Sequence, residues 1–143
     1  MILIDANLLL YAYNPSSVEH DKARRWLEET FSGSEPVGLP WSTLLAFVRI
    51  GTNPRAFPRP LTLREAVAIV SEWLSLPVVQ ILDPSERHWA ILSSVLTRAQ
   101  AKGPLVTDAH LAALAIEYGG TLFTTDGDFS RFPRLRWENP LLA

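Results

Sequence analysis

The stretch VTDAHLAALAIEYGGTLFTTDGDFSRF, residues 106–132, decides the fold class of this chain. Residues 107–120 predict a helix, because apolar side chains recur on one face and the pair Gly119 and Gly120 ends the pattern. The following TLFT, residues 121–124, predicts a buried strand that leads directly to acidic residues. An amphipathic helix followed by a short buried strand is typical of a parallel α/β sheet.

The rest of the chain repeats this alternation of short strands and helices. Strands are predicted at ILI (2–4), VGL (37–39), VVQIL (78–82) and RLRW (134–137). Helices are predicted at residues 7–13 and 41–50. Two more are predicted to begin with capping boxes, one of Ser16 with Glu19 and one of Thr62 with Glu65. A further helix is predicted to begin with Asp83 as N-cap, followed by Pro84 and Glu86. The last of these would bury a stripe of Trp89, Leu92, Leu96 and Ala99. The alternation predicts βαβ units in a single domain over residues 1–143.

Composition narrows the class of protein. Of 143 residues, 48% are hydrophobic and 20% charged, as in an ordinary folded domain. The chain has no cysteine, which excludes disulfides, thiolate metal sites and a cysteine nucleophile and suits the cytoplasm. No apolar run reaches the roughly 18 residues of a membrane span. Asp5 and Asn7 interrupt the apolar start, so no signal peptide is expected.

The net charge of −2 gives no overall basic surface for nucleic acid. Arginines nevertheless cluster in RIGTNPRAFPRP (49–60) and RFPRLRW (131–137). Each cluster predicts either a local contact with an anionic partner or an ordinary solvated surface, and composition does not separate the two.

Four carboxylates are predicted to meet at one edge of the sheet. Asp5 directly follows the first strand, Asp126 and Asp128 follow TLFT, and Asp108 is expected in the first turn of its helix behind Thr107 as N-cap. Ligands of parallel sheets bind at the carboxyl ends of the strands. Each acid also has a structural interpretation, as a helix cap, a favourable first-turn residue or a tight turn. Because clustered carboxylates repel one another unless a cation neutralises them, the set predicts a Mg²⁺ or Mn²⁺ site.

Other catalytic chemistries have less support. His20, His88 and His110 are too scattered for a metal motif, and His110 is predicted to be structural. There is no glycine-rich phosphate loop and no serine–histidine arrangement typical of a triad. A phosphatase or phosphotransfer domain is a weaker alternative, because the first strand is followed by Asp5, Ala6 and Asn7 rather than by Asp-x-Asp.

Four motifs in order carry a resemblance to a known family: ILIDANLLLYA (2–12), FVRIGTNPR (47–55), the stretch 106–132 and RWENPL (136–141). The chain resembles the PIN-domain ribonucleases, specifically VapC-type toxins of type II toxin–antitoxin pairs. The resemblance implies a three-layer αβα fold with a short central parallel sheet. It also implies Mg²⁺- or Mn²⁺-dependent RNA cleavage that leaves 5′-phosphate and 3′-hydroxyl ends, a VapB-like antitoxin as partner, and toxin homodimers.

The resemblance also assigns roles to individual residues. Asp5, Asp108 and Asp126 match the catalytic, metal-binding acids. Asp128 matches a neighbouring acid of more variable role, either a further metal ligand or a hydrogen-bond acceptor behind the ligands. Asn7 and Thr124 match the polar residues that orient the pocket.

One departure from the family pattern is at residue 46. The family usually carries a glutamate just before the Phe-Val-Arg of the middle helix, and this chain has Ala46 there. The substitution leaves open whether one or two metals are bound. It also motivates the alternative that the chain is a PIN-fold binding module whose acidic pocket is degenerate and does not catalyse.

The segment WSTLLAFVRI, residues 41–50, is apolar on nearly every side. A helix of this kind is either wholly internal or covered by a partner. Arg49 favours the second interpretation, because a buried arginine needs a partner group.

Overall fold

A five-stranded parallel sheet lies at the centre of the computed structural model, which describes residues 1–142. Its strands are β1 (Ile2–Ile4), β2 (Val37–Pro40), β3 (Val79–Leu82), β4 (Thr121–Phe123) and β5 (Trp137–Glu138). They are arranged in the order β3-β2-β1-β4-β5, and every neighbouring pair is parallel. The central strand β1 therefore pairs with β2 on one side and with β4 on the other.

Helices cover both faces of this sheet. They are α1 (Ala6–Ala12), α2 (His20–Ser32), α3 (Trp41–Gly51), α4 (Leu63–Ser75), α5 (His88–Ala99) and α6 (Pro104–Glu117), with a short 3-10 helix at Gly127–Arg131. Ile4 of β1 packs into a core with α1 to α4, whereas its neighbour Leu3 packs into a second core with α5 and α6. Side chains alternate across a strand, so consecutive residues face opposite layers. The predicted three-layer α/β architecture is confirmed.

Helix α6 lies close against the sheet because its inner face is made of small side chains. Ala109, Ala112 and Ala113 have no exposed surface. The helix begins at Pro104, after Gly103 with a φ of 56°, so the predicted start at residue 107 is wrong. Glycine reaches this φ without strain, and proline has the φ of a first helical residue, so the sequence KGP begins the helix instead of breaking the pattern.

Two predicted helix starts are wrong for a shared reason. Asp83 does not cap α5, because Ser85 donates from its hydroxyl and its backbone N–H to the Glu117 carboxylate at 2.7 and 3.2 Å, which holds the segment outside the helix. Ser16 does not cap α2, because the Asn14 side chain accepts the Ser16 N–H at 3.1 Å in a turn. In both cases a competing hydrogen bond replaces the local capping signal.

Of the remaining local predictions, some are confirmed and one is wrong. The capping box that begins α4 is confirmed: Thr62 accepts from the Glu65 N–H at 3.1 Å, and Glu65 accepts from the Thr62 N–H at 3.0 Å. On α5, Leu92 and Leu96 pack against the core as predicted. Trp89 is 70% exposed, so its place in the buried stripe was wrong; Val95 is the buried residue of this helix.

Helix α3 is not wholly internal. Its buried face includes Thr43, Leu44 and Phe47, whereas Trp41 is 49% and Leu45 65% exposed. The helix therefore presents large apolar side chains outward as well as inward. For the part of the chain that the structure describes, no helix has the length and apolar character needed to cross a bilayer.

Candidate functional site

The carboxyl ends of β1 and β4 are joined at the edge of the sheet where the predicted acids lie. The Asp5 N–H donates to the Phe123 carbonyl at 3.0 Å, and the Thr124 N–H donates to the Glu138 carbonyl at 3.0 Å. The first bond fixes the residues that leave β1 and β4 next to each other, although they are far apart in the sequence, and the second joins Thr124 to β5.

The Thr124 hydroxyl connects three of the predicted site residues. It is fully buried, donates to Asp5 Oδ2 at 2.8 Å, and accepts from Asn7 Nδ2 at 3.3 Å and from the Asp126 N–H at 3.0 Å. A hydroxyl has one proton and two lone pairs, so its hydrogen-bonding capacity is used completely. One side chain therefore sets the relative positions of Asp5, Asn7 and Asp126.

The same bonds fix the orientation of the Asn7 amide. The Thr124 hydroxyl donates its single proton to the hydrogen bond with Asp5, so it can only accept from Asn7, which must present its Nδ2 to the Thr124 oxygen. The Asn7 Oδ1 then points the other way, and within residues 1–142 this buried atom has no hydrogen-bond donor. An unpaired buried oxygen is costly, and a cation or a donor at the site would satisfy it.

Two of the acids also have the structural roles that their sequence positions suggested. Asp5 caps α1 through its Oδ1, which accepts from the Ala6 N–H at 2.8 Å. Asp126 accepts from the Asp128 N–H at 2.9 Å and so begins the 3-10 helix. Asp108 is not the predicted first-turn residue, because α6 begins four positions before it and Thr107 is inside the helix. Helix capping therefore does not account for Asp108.

The four carboxylates are close enough to influence one another's ionisation. Burial, followed by the charges of Asp126, Asp5 and Asp128 in that order of effect, raises the pKa of Asp108 to about 6. Burial also raises the pKa of Asp5, against the hydrogen bond from Thr124, and Asp126 adds to the increase. A bound cation would offset the repulsion between carboxylates held together in this way.

Two clefts open at Asp108. One, of about 230 Å³, lies between α3 and α6, and the other, of about 460 Å³, lies between the start of α6 and the 3-10 helix. The first is lined by Asp5, Ala6, Ser42, Thr43, Ala46, Arg49, Thr107, Asp108 and Leu111; the second by Gln100, Lys102, Pro104, Leu105, Asp108, Asp128 and Arg131. Each cleft thus contains two carboxylates and at least one basic side chain. Lys102 and Ser42 were not among the predicted site residues, although the spacing of Ser42, Ala46 and Arg49 on α3 was a usable signal.

The donor chemistry of the site suits Mg²⁺ or Mn²⁺, which prefer carboxylate and amide oxygens. Asp5, Asp108 and Asp126 supply such oxygens, and the unpaired Asn7 Oδ1 is another. Among residues 1–142, however, no three acidic or histidine side chains converge as a ready set of metal ligands. Cation binding would therefore require carboxylates to turn inward, which the half-exposed position of Asp108 permits.

A second polar cluster joins α5 to α6. His88 Nε2 lies 2.9 Å from His110 Nδ1, and His88 Nδ1 lies 3.7 Å from the Glu117 carboxylate. Burial and the neighbouring His88 lower the pKa of His110. His110 therefore contacts another helix, and its structural role stays a prediction.

Comparison with known proteins places this arrangement in a family. The sequence matches the PIN domain family over residues 2–135. It is 44% identical over 140 residues to Ribonuclease VapC37 of Mycobacterium tuberculosis, covering 98% of this chain and 97% of that one. It is 40% identical over 141 residues to Ribonuclease VapC33 of the same species, covering 99% of both. This chain belongs to the VapC group of PIN-domain proteins.

Solved structures of VapC and related proteins have the same fold. VapBC2 from Rickettsia felis, bound to a DNA fragment from its promoter, matches with a TM-score of 0.71 at 21% identity and covers 97% of this chain and 98% of that one. FitAcB from Neisseria gonorrhoeae matches with a TM-score of 0.69 at 26% identity and covers 98% of both chains. The VapC fold therefore extends over nearly the whole chain, including the edge that carries the four acids.

Proposed function

We propose that this protein is a divalent-metal-dependent endoribonuclease and the toxin of a type II toxin–antitoxin pair. The observation that carries the proposal is that Asp5, Asp126 and Asp128 lie just beyond β1 and β4 and close enough to Asp108 that their charges, after burial, raise its pKa. Membership of the VapC group, whose curated relatives are named ribonucleases, supports RNA as the substrate. An RNA substrate also makes the cytoplasm the proposed place of action.

In this proposal the acids hold the cation. Asp5, Asp108 and Asp126 would bind Mg²⁺ or Mn²⁺, with Asp128 as a further ligand, and Asn7 and Thr124 would orient the pocket. The bound ion would supply an activated water and offset charge on the leaving oxygen. A carboxyl with a pKa of about 6 exchanges its proton for the cation, so we expect weaker metal binding as the pH falls below about 6.

Basic side chains on both sides of Asp108 would position the RNA backbone. Arg49 lines the cleft beside α3, and Lys102 and Arg131 line the cleft beside the 3-10 helix. Contacts to phosphates fix the position of a nucleic acid without reading its sequence. Basic side chains at both ends of the acidic site suit an RNA strand that crosses the site.

The test is RNA cleavage by purified protein in a Mg²⁺ titration, with and without a chelator. Asp5→Asn is the variant to use, because asparagine still caps α1. Asp83→Asn is a matched control: this exposed aspartate also follows a strand, β3, but is not among the charges that act on Asp108. We expect cleavage by wild type and Asp83→Asn, loss in Asp5→Asn, and loss with chelator. Chelator-insensitive cleavage by Asp5→Asn would contradict the metal assignment.

The rival function is a PIN-fold module that binds RNA or metal without cleaving. Ala46 is the observation that favours it, because the first cleft has only Asp5 and Asp108 as acids. Wild type that binds Mn²⁺ and RNA but leaves the RNA intact at every metal concentration would select this function.

We further propose a VapB-like antitoxin as partner and a toxin homodimer. The outward apolar face of α3, with Trp41 and Leu45 exposed, supports a partner at that helix, because exposed large apolar side chains side by side are typical of interaction surfaces. Solved structures of the same fold include a toxin–antitoxin complex from Klebsiella pneumoniae. Co-purification with the protein encoded next to it, and light scattering of the toxin alone, test the two parts. A monomer that is harmless in cells and binds no neighbouring gene product would contradict them.

A further inference from the structure

Helix α3 presents a stripe of three residues to the cleft that it shares with α6. Ser42, Ala46 and Arg49 are spaced by four and three positions, so they lie on one side of the helix, and all three line the cleft. Ala46 is small and leaves the space between the two polar residues open. The opposite wall carries Asp5 and Asp108.

The guanidinium of Arg49 is not neutralised by these acids. Within residues 1–142 Arg49 takes part in no ion pair, and its side chain is exposed. The cleft therefore has a negative and a positive wall that do not pair with each other.

We infer that Arg49 and the neighbouring Ser42 form a subsite for a backbone phosphate of the RNA, next to the phosphate that is cut. This inference rests on the proposed ribonuclease function and specifies which phosphate Arg49 holds and which second group, Ser42, holds it with Arg49. The guanidinium matches two oxygens of a phosphate, and the Ser42 hydroxyl is a further donor.

Other ligands fit the two walls less well. A single carboxylate on a peptide would match Arg49 but would supply no second anion for a cation held by Asp5 and Asp108. A basic side chain would match the acids and be repelled by Arg49. A polyanion with regularly spaced phosphates satisfies both walls, because one phosphate can contact Arg49 while the next meets a cation held by the acids.

The experiment measures binding separately from cleavage. A fluorescent single-stranded oligoribonucleotide is titrated with Asp108→Asn protein, which keeps RNA intact, and with the same protein carrying Arg49→Ala, Arg49→Lys or Arg64→Ala. Arg64 is exposed on α4 and outside both clefts, so it controls for loss of one positive charge. Thermal unfolding of each protein checks that it is folded.

We expect Arg49→Ala to bind RNA about tenfold more weakly, which corresponds to about 1.4 kcal/mol. The slope of log affinity against log salt should decrease by about 0.7, the value for one contact to a single strand. Arg49→Lys should keep the slope and lose part of the affinity, because lysine keeps the charge but not the bidentate geometry. Arg64→Ala should bind like the parent.

The inference and the proposed function fail in different ways. Arg49→Ala that binds RNA with unchanged affinity and salt slope overturns the subsite, even if wild type cleaves RNA. An equal loss in Arg64→Ala also overturns it, because the effect would then be general. Wild type that does not cleave RNA, combined with the expected loss in Arg49→Ala, supports the subsite and rejects the nuclease.

Discussion

Replacing Asp108 by asparagine is expected to stabilise the folded protein at neutral pH while abolishing RNA cleavage. The pKa of Asp108 rises from 3.8 to about 6, first through burial and then through Asp126, Asp5 and Asp128. The folded state thus binds this proton more tightly than the unfolded chain does. Its contribution to stability is complete below about pH 4 and is lost as the pH rises through about 6. Asparagine has no proton to lose and avoids this loss.

The size of the effect follows from the pKa. An increase of about 2.2 corresponds to roughly 3 kcal/mol at full strength. Asp108 is only half-buried, and solvent screening of exposed charges reduces this to about 1 kcal/mol. For a chain of this size we therefore expect Asp108→Asn to melt about 3 °C higher than wild type near pH 7.5.

Thermal unfolding of both proteins in chelator, from about pH 4 to pH 8, measures this difference. The melting temperatures of the two proteins should coincide near pH 4, separate as the pH rises from about 4 through about 6, and differ by a constant amount above that. Asp108→Glu is the matched variant, because it keeps an ionisable acid and should follow the wild-type pH dependence. Added Mg²⁺ should raise the melting temperature of wild type more than that of Asp108→Asn. A difference between wild type and Asp108→Asn that does not change with pH would refute the electrostatic argument.

Three further outcomes are expected. Thr124→Val should lose about 2–3 kcal/mol of unfolding free energy, because a charge-assisted hydrogen bond disappears and two donors lose their acceptor, whereas Thr124→Ser should retain most of it in the same denaturant titration. Ala46→Glu should change Mn²⁺ affinity measured by calorimetry, because it adds an acid to the cleft that Asp5 lines; unchanged affinity would remove the significance of this position. Leu45→Glu should abolish co-purification with the antitoxin or dimer formation. Leu63→Glu, at an equally exposed site on α4, should abolish neither. Equal behaviour of the two variants would locate the interface elsewhere.

The fold could be predicted where the signals were local. The strand at residues 121–123 and the capping box of Thr62 with Glu65 follow from neighbouring residues, and both are confirmed. The cap predicted at Asp83 was wrong because Glu117, more than thirty positions away, binds Ser85. Sequence periodicity does not contain that contact. A single domain over residues 1–143 stays a prediction.

The site could be predicted in outline but not in its connections. Asp5 and Asp126 were expected near one another because each follows a strand. The Thr124 hydroxyl links these two acids to Asn7. This link depends on the register of β1 with β4, which the spacing of residues along the chain does not reveal. The metal-binding roles of the four acids and the orienting roles of Asn7 and Thr124 stay predictions.

The pairing of β1 with β4 has a consequence for folding kinetics. The Asp5–Thr124 hydrogen bond joins residues 119 positions apart, so it closes a very long loop. Contacts of this sequence separation form late, because the entropy of closure is lost before the contact is gained. A refolding chain should regain helix content first, while its Asp5 still lacks Thr124 and Asp126. Under the proposed function, catalytic competence is expected to return only with this late contact, so partly folded chains should leave RNA intact although most of their helices are present.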